Sequence, residues 1–271
     1  CDSVLAHDLP AMGDIDSSML HFCSLVKEHN KVALTGECAD EIFGGYPWFH
    51  KEECFRAHTF PWTMDLEARK VLLKDDFLDY LQMDEYVKET YERSVAETPA
   101  LSEDSPTEAR RREISYLNLR WFMQTLLNRM DRASMYSSLE ARVPFADHRI
   151  MEYVWNVPWD MKTRDGLVKN LLRQSGKGLL PDDILFRRKS PYPKTYDTNY
   201  EKLLTSRVLE IMNDSSSPVM QFLDRKKLET FLQNPSDYGK PWYGQLMAGP
   251  QMLAYILQID YWMKAYKISL V

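Results

Sequence analysis

The sequence has 271 residues, of which 44% are hydrophobic and 27% charged, as in globular proteins with a hydrophobic core. Its 34 Lys and Arg against 40 Asp and Glu give a formal charge of −6, which argues against general binding to nucleic acid or to an anionic membrane. No stretch approaches the roughly 20 apolar residues that cross a bilayer. The four cysteines form no Cys-x-x-Cys pair, so we expect neither a zinc knuckle nor a disulfide framework, and we predict a cytoplasmic protein.

The first 60 residues carry an α/β pattern. Helical spacing is shown by Met19, Phe22, Cys23 and Val26. Asp16 and Ser17 are placed to cap that helix. Residues 31–35 then predict a short buried strand that ends at Gly36, and an acidic helix is expected over 37–43. This order predicts half of a βαβ unit in residues 1–60.

Residues 61–271 are predicted to be mainly helical. The predicted segments are two helices that meet near residues 74–75, a loop over 98–106, one long helix over 107–138, a helix over 167–176 and a last helix over 242–265. Pro144 is expected to end the long helix, because proline disfavours α geometry in the residue before it. A single strand among so many helices suggests that further strands of the sheet belong to other residues.

Three carboxylates crowd the end of the predicted strand. Glu37, Asp40 and Glu41 are spaced to share one helical face, where like charges repel unless a cation lies among them. A phosphate bridged by Mg²⁺ would satisfy the carboxylates and the free N–H groups at the start of the helix. The alternative is that these acids only cap a helix N-terminus.

Two further segments carry clustered charge. Residues 128–148 contain two Arg, an Asp and a Glu-Ala-Arg sequence at the end of a predicted helix, for which the alternative is a structural network of ion pairs. Residues 179–193 contain three consecutive cations, Arg187, Arg188 and Lys189, followed by Pro191 and Pro193. Such a loop can place a cation on a phosphate, although many basic loops are simply solvated.

Together these segments resemble the synthetase domain of glutamine-hydrolysing asparagine synthetase. The similar stretches are Thr35–Tyr46, Ser138–Asp147, and Lys169–Arg173 together with Leu180-Pro181 and Arg188-Lys189, and the likeness runs from about Asp8 to Tyr196. The resemblance implies an α/β, adenine nucleotide α-hydrolase-like (ATP-pyrophosphatase) fold, here mostly helical with few parallel strands. It also implies asparagine biosynthesis: ATP adenylates aspartate to β-aspartyl-AMP, pyrophosphate leaves, and ammonia from glutamine displaces AMP.

The resemblance also implies roles for individual residues. The cofactor-binding residues would be Thr35, Gly36 and Arg142, the first two contacting ATP and the third in a supporting role. Glu37 matches a glutamate that takes part in forming the β-aspartyl-AMP intermediate. Asp40 matches an acid associated with Mg²⁺ and pyrophosphate, and Lys189 matches a lysine that stabilises charge at the α-phosphate. Glu37 and Lys189 are thus the predicted catalytic residues, and Asp40 the predicted metal ligand.

The sequence departs from the family pattern in two substitutions and two absences. Thr35 replaces Ser, and Cys38 replaces a Gly that matters if the backbone there needs positive φ. A thiol at a helix start can have a lowered pKa, but inert packing is the favoured interpretation of Cys38. The phosphate loop Ser-Gly-Gly-x-Asp-Ser and the nucleophilic cysteine of a glutaminase domain are both absent from the sequence.

We therefore expect residues 1–271 to be the C-terminal part of a longer synthetase, inactive alone, with the glutaminase domain of the same parent chain as its partner and a homodimer as a possible assembly. An alternative is a β-lactam-synthetase-like enzyme, in which a Tyr and a Glu, such as Tyr136 and Glu140, act together as the base near the reacting amine. A second is a non-catalytic nucleotide-binding remnant. A module of the tRNA-modifying pyrophosphatases is disfavoured by the acidic charge.

Overall fold

The computed structural model of the chain describes residues 1–64, 66–189, 197–233 and 249–270. The described chain is mostly helical, and its two strands form a small parallel sheet. Within these ranges no helix combines the length and apolar character needed to cross a membrane. The predicted balance of many helices and few parallel strands is confirmed at this level.

The N-terminal region follows the predicted order of helix, strand and acidic helix. Helix α1 (Asp2–His7) precedes α2 (Ile15–Lys27), strand β1 (Val32–Leu34) and helix α3 (Ala39–Phe43). The prediction that Asp16 and Ser17 cap α2 is wrong, because the N-cap position is taken by Asp14. Asp16 lies in its first turn, where burial raises the pKa of its carboxyl to about 6.

The remaining helices pack around this region in chain order. They are α4 (Glu52–Arg56), α5 (Glu67–Lys70), α6 (Asp75–Leu81), α7 (Met83–Ala96), α8 (Pro106–Leu117), α9 (Gln124–Tyr136), α10 (His148–Trp155), α11 (Trp159–Lys162), α12 (Asn170–Ser175), α13 (Asp182–Leu185), α14 (Thr198–Asn213), α15 (Arg225–Gln233) and α16 (Gly249–Tyr266). Short 3₁₀ turns cover Pro47–Phe49, Pro144–Ala146 and Pro218–Gln221. The predicted start of the last helix at Trp242 lies outside the described residues, as do Pro191 and Pro193.

The predicted long helix is a helical run with a π-helical centre. A capping box begins it, in which Ser105 accepts from the backbone of Glu108 and the Glu108 side chain accepts in return. The π-helical stretch Asn118–Met123 joins α8 to α9. Six residues of wider helix shift the face that α9 presents relative to α8, and π segments often lie near functional sites.

The second strand is the element that the sequence did not predict. The long helix ends at Tyr136 rather than at Pro144, and Ser138 turns the chain with a φ of 58°. Strand β2 (Glu140–Arg142) then pairs with β1 in parallel, with Val32 opposite Glu140 and Leu34 opposite Arg142. Three residues are too few to show the alternation by which a strand is recognised. Since β2 belongs to the portion predicted to be mainly helical, the sheet joins the two predicted portions.

Hydrophobic clusters hold this sheet and the turn after it in place. One cluster packs α2 and α9 against the sheet through Met19, Cys23, Met130, Ala133 and Leu139. Another packs Cys38, Ile42 and Phe43 against Met123 and Val154. Each apolar side chain fully buried in this way contributes about 1.5–3 kcal/mol, so the turn after β1 rests on a rigid base.

Candidate active site at the end of strand β1

The chain leaves the sheet at Thr35 and Gly36. The N–H of Thr35 donates to the carbonyl of Arg142 at 2.9 Å, which extends the pairing of β1 with β2 by one bond. The Thr35 hydroxyl accepts from the N–H of Glu37 at 3.0 Å. No atom lies within 4 Å of the position that a Cβ on Gly36 would take. The surface above Gly36 is therefore open to a ligand.

Cys38 occupies a strained backbone position at the start of α3. Its φ is 73°, the left-handed conformation that favours glycine, so the expected need for positive φ is confirmed. The side chain is 1% exposed, and burial, together with the charges of Glu41 and Glu37, raises the pKa of the thiol to about 12. Inert packing of Cys38 is thereby confirmed, and a lowered thiol pKa is wrong.

Asp40 is the centre of a group of ionic contacts. The Lys189 ammonium donates to its Oδ2 at 3.0 Å, and Lys169 Nζ lies 2.8 Å from its Oδ1. Lys189 also lies over the ring of Tyr46, 3.9 Å from its centroid. Gly45 makes room for the carboxylate, because a Cβ there would lie 1.8 Å from Asp40 Oδ1. Residues far apart in sequence thus converge on one carboxylate.

Two opposing influences set the ionisation of Asp40. Burial is the largest and favours the neutral acid, but the ammonium groups of Lys189 and Lys169 outweigh it and hold the pKa of the Asp40 carboxyl below its ordinary value. Asp40 is therefore ionised at neutral pH. A phosphate that approached the two lysines would compete with this carboxylate for them.

Glu37 is paired separately, with Arg129 of α9. Arg129 Nη2 donates to Glu37 Oε1 at 3.1 Å, and the two side chains are only 12% and 18% exposed. The contact spans 92 positions in sequence and fixes the direction of the Glu37 carboxylate beside the open surface at Gly36. The second Glu37 oxygen remains available to a substrate amine or water.

Glu41 points into the protein. The Tyr46 hydroxyl donates to Glu41 Oε1 at 2.6 Å. Burial raises the pKa of the Glu41 carboxyl to about 7, and the same burial beside Glu41 raises the pKa of Tyr46. Glu41 is thus a structural acid under the turn rather than part of the open surface.

The predicted sharing of one helical face by the three carboxylates is wrong. Helix α3 begins at Ala39, so Glu37 precedes it, and each carboxylate has its own partner in the protein. Some repulsion remains, because the charges of Asp40 and Glu37 add to burial in raising the pKa of Glu41. In the described ranges, however, no three acidic, His or Cys side chains group so as to hold a metal. Asp40 alone fits a Mg²⁺ that keeps waters and brings phosphate oxygens of its own.

Arg142 lies at the same end of the sheet but faces solvent. Its Nε donates to Glu140 Oε1 at 2.8 Å, and both side chains are more than half exposed. Its backbone carbonyl holds Thr35, as described above. A role of the Arg142 side chain in cofactor binding stays a prediction.

Three residues of this site were not predicted from sequence: Lys169, Arg129 and Tyr46. Lys169 and Arg129 lie in segments that were singled out, but neither was given a role. The excess of acid at 37–41 was itself the available signal, since buried carboxylates require cations and the charged segments 128–148 and 169–189 supply them.

The open surface at β1 is distinct from a sizeable cavity elsewhere in the described chain. One cavity of about 740 Å³ lies among residues of α1, α14 and α16, and the predicted site residues do not line it. Cavity volume and the convergence of charge at Asp40 therefore point to different places in the molecule.

Comparison with known families shows the family of this chain. The asparagine synthase family profile matches residues 2–264. The chain belongs to this family. Asparagine synthetase [glutamine-hydrolyzing] 3 of Bacillus subtilis (strain 168) is 48% identical over 270 residues, which are 99% of this chain and 44% of that protein.

More distant members of the asparagine synthase family match over shorter stretches. Asparagine synthetase [glutamine-hydrolyzing] 1 of the same bacterium is 28% identical over 62% of the chain and 31% of its own length. The rat asparagine synthetase [glutamine-hydrolyzing] is 42% identical over 67 residues, 24% of this chain and 12% of its own. The chain thus spans less than half the length of these curated relatives.

Proposed function

We propose that this chain contributes the ATP-dependent half of a glutamine-hydrolysing asparagine synthetase. In this function aspartate is adenylated to β-aspartyl-AMP with release of pyrophosphate, and ammonia derived from glutamine then displaces AMP. The single observation that carries the proposal is the meeting of Lys169, Lys189 and Asp40 beside Glu37, at the carboxyl end of a parallel strand. Ligands of open α/β sheets bind at such strand ends.

The lysines and Glu37 have separate roles in this proposal. Lys189 would stabilise the negative charge that develops at the α-phosphate during adenylation, because a preorganised cation acts most strongly where charge appears. Glu37, held by Arg129, would take part in forming β-aspartyl-AMP and would then orient the attacking ammonia or accept its proton. Thr35, Gly36 and Arg142 would bind ATP.

Asp40 would be a protein ligand of Mg²⁺ that arrives with the nucleotide. When bound, the ion neutralises charge on the pyrophosphate that leaves. Before the ion arrives, Lys169 and Lys189 keep the Asp40 carboxylate ionised, and the carboxylate in turn holds the two lysines at the site.

The wider proposal follows the family. The fold would be that of the adenine nucleotide α-hydrolases, and a glutaminase domain of the same parent chain would supply ammonia. A cytoplasmic location and a homodimer stay predictions. For the β-lactam-synthetase-like alternative, Tyr136 and Glu140 are exposed, and Glu140 is paired with Arg142 rather than with Tyr136. The paired Glu37 favours asparagine synthesis, and the retained charges oppose a non-catalytic remnant.

The decisive experiment measures aspartate-dependent release of pyrophosphate by the full-length parent protein. Glu37→Gln should lower it at least about 100-fold without unfolding the protein, because it removes the carboxylate that takes part in forming β-aspartyl-AMP and a group acting in the transition state contributes about that much. Glu140→Gln should have little effect. The reverse ranking of the two variants would favour the β-lactam-type enzyme, and unchanged release by Glu37→Gln would refute its catalytic role.

Lys189→Ala separates catalysis from binding. It should lower kcat of adenylation much more than it raises KM for ATP, since the ammonium acts on charge that develops in the transition state. An equal loss in both constants would mean that Lys189 only binds phosphate.

A further inference from the structure

A second concentration of positive charge lies between α8 and α11. A cavity of about 120 Å³ is lined there by Arg111 and Arg112 of α8, by Lys162 of α11, and by the indole rings of Trp155 and Trp159. We call it the Lys162 cavity. None of the residues assigned to the β1 site lines it.

Lys162 is buried without a counterion. The residue is 5% exposed, yet its side chain forms no hydrogen bond or ion pair with the described part of the chain. Its ammonium lies 5.8 Å from the centroid of the Trp159 ring. Burial, reinforced by the charge of Arg112, lowers the pKa of Lys162 to about 8. A cation in this condition costs stability unless something pairs with it.

Arg111 shares the ring and lacks a partner as well. Its guanidinium carbon lies 5.2 Å from the centroid of Trp159, and its Nε is buried without a hydrogen bond among the residues described. Burial lowers the pKa of Arg111, only partly opposed by the charges of Glu108 and Asp160. Two cations therefore face one small cavity.

The carboxylates that line the Lys162 cavity are already bound elsewhere. Asp104 accepts from Arg112 Nε at 2.6 Å, and Arg112 also donates to the Asn156 side chain. Glu108 accepts from the hydroxyl of Ser105 at 2.7 Å in the capping box of α8. The acids thus satisfy Arg112 and the helix start, and among the described residues neither Arg111 nor Lys162 has a carboxylate within ion-pair distance of its side chain.

We propose that the Lys162 cavity binds a small oxyanion of the size and charge of inorganic phosphate, held between Arg111 and Lys162. A guanidinium offers paired donors to phosphate oxygens, and an ammonium supplies a point charge. The volume suffices, since one water needs about 10–15 Å³ of such space. The indole rings line part of the cavity, and their low polarity strengthens both contacts. This site lies beyond the proposed synthetase function.

The test is isothermal titration of inorganic phosphate into the full-length protein, in a buffer free of phosphate and sulfate. Lys162→Met and Arg111→Gln should each weaken saturable binding at least about 10-fold. Lys177→Met, which removes an exposed lysine outside the cavity, should leave it unchanged. Lys189→Met controls for phosphate that binds at the β1 site and should also leave it unchanged.

Each outcome decides the proposal. Absence of saturable binding in the wild type, or binding that survives both Lys162→Met and Arg111→Gln, overturns it. Binding lost in Lys189→Met but kept in Lys162→Met places the anion at the β1 site and also overturns it. Thermal melts of every variant confirm folding, and Arg111→Gln keeps the test valid if Lys162→Met unfolds. Because the readout is phosphate affinity, failure here leaves the adenylation experiment unaffected.

Discussion

The β1 site and the Lys162 cavity hold similar numbers of cations in opposite ways. At β1, Lys169 and Lys189 share Asp40, and Arg129 holds Glu37. In the cavity, Asp104 and Glu108 are bound by other groups, and Arg111 and Lys162 form no ion pair among the described residues. Trp159 lies between the two regions. It lines the Lys162 cavity and also packs against Gly44 at the end of α3, where an added Cβ would lie 2.7 Å from its Cη2.

The difference separates two ways of preparing for an anion. Paired cations are held in place at little cost, but a ligand must compete with the carboxylate that holds them. Unpaired buried cations lower the stability of the fold and gain it back when an anion binds. Perturbed, desolvated groups of the second kind cluster at functional sites. The predictions below test whether the two regions differ in this way.

The largest effect on stability is expected at the β1 site. Gly45→Ala would place a Cβ 1.8 Å from Asp40 Oδ1 and 3.0 Å from its Cα, so the turn must move. We expect a loss of about 3 kcal/mol in the free energy of unfolding, as for severe overpacking. Urea denaturation without nucleotide measures it. The matched variant Gly36→Ala meets no atom within 4 Å and should cost less than about 1 kcal/mol; equal losses would contradict the packing of Asp40.

The second prediction compares one lysine from each region. The folded pKa of Lys162, about 8, is below the ordinary 10.5, so its charged form destabilises the fold below pH 8, and this penalty fades as pH rises from 8 to 10.5. Lys162→Met should therefore stabilise the protein at pH 7 by on the order of 3 kcal/mol, with the gain closing over that window. Lys169→Met should instead destabilise it by about 1–3 kcal/mol, because Asp40 loses a counterion.

Chemical denaturation between pH 7 and 10, in phosphate-free buffer, follows both lysine variants. A Lys162→Met protein less stable than the wild type at pH 7 would mean that the ammonium has a counterion, and the contrast between the two regions would be lost.

The smallest effect separates backbone strain from charge at the β1 site. Cys38→Gly relieves a φ of 73° but removes a thiol that is 1% exposed. The two changes nearly cancel, so stability should shift by less than about 1 kcal/mol. Ala39→Gly, one position on in α3, should cost about 1 kcal/mol with no such relief. Thermal melting compares them; a large loss for Cys38→Gly would show that the thiol packing dominates.

Local pattern predicted part of this structure and tertiary contact decided the rest. The strand over 31–35 and the acidic helix after it were predicted because an apolar run and a glycine break are local signals. The predicted burial of the strand is wrong, since Val32 is 40% and Leu34 75% exposed within the described residues. Strand β2 has three residues and takes its conformation from pairing with β1, which no local pattern encodes. Likewise Glu37 and Asp40 could be singled out by residue type, whereas Arg129 and Lys169 become partners only once α9 and α12 are in place.

The pairing of Lys189 with Asp40 closes a loop of 149 residues, and that of Arg129 with Glu37 closes one of 92. Closing loops of this length costs chain entropy before the contacts that they bring together can form, so folding that depends on such contacts is slow. The β1 site should therefore be among the last parts of the chain to form. A variant that destabilises a helix between these residues should then delay or prevent formation of the β1 site, while most of the helical content seen by circular dichroism is kept.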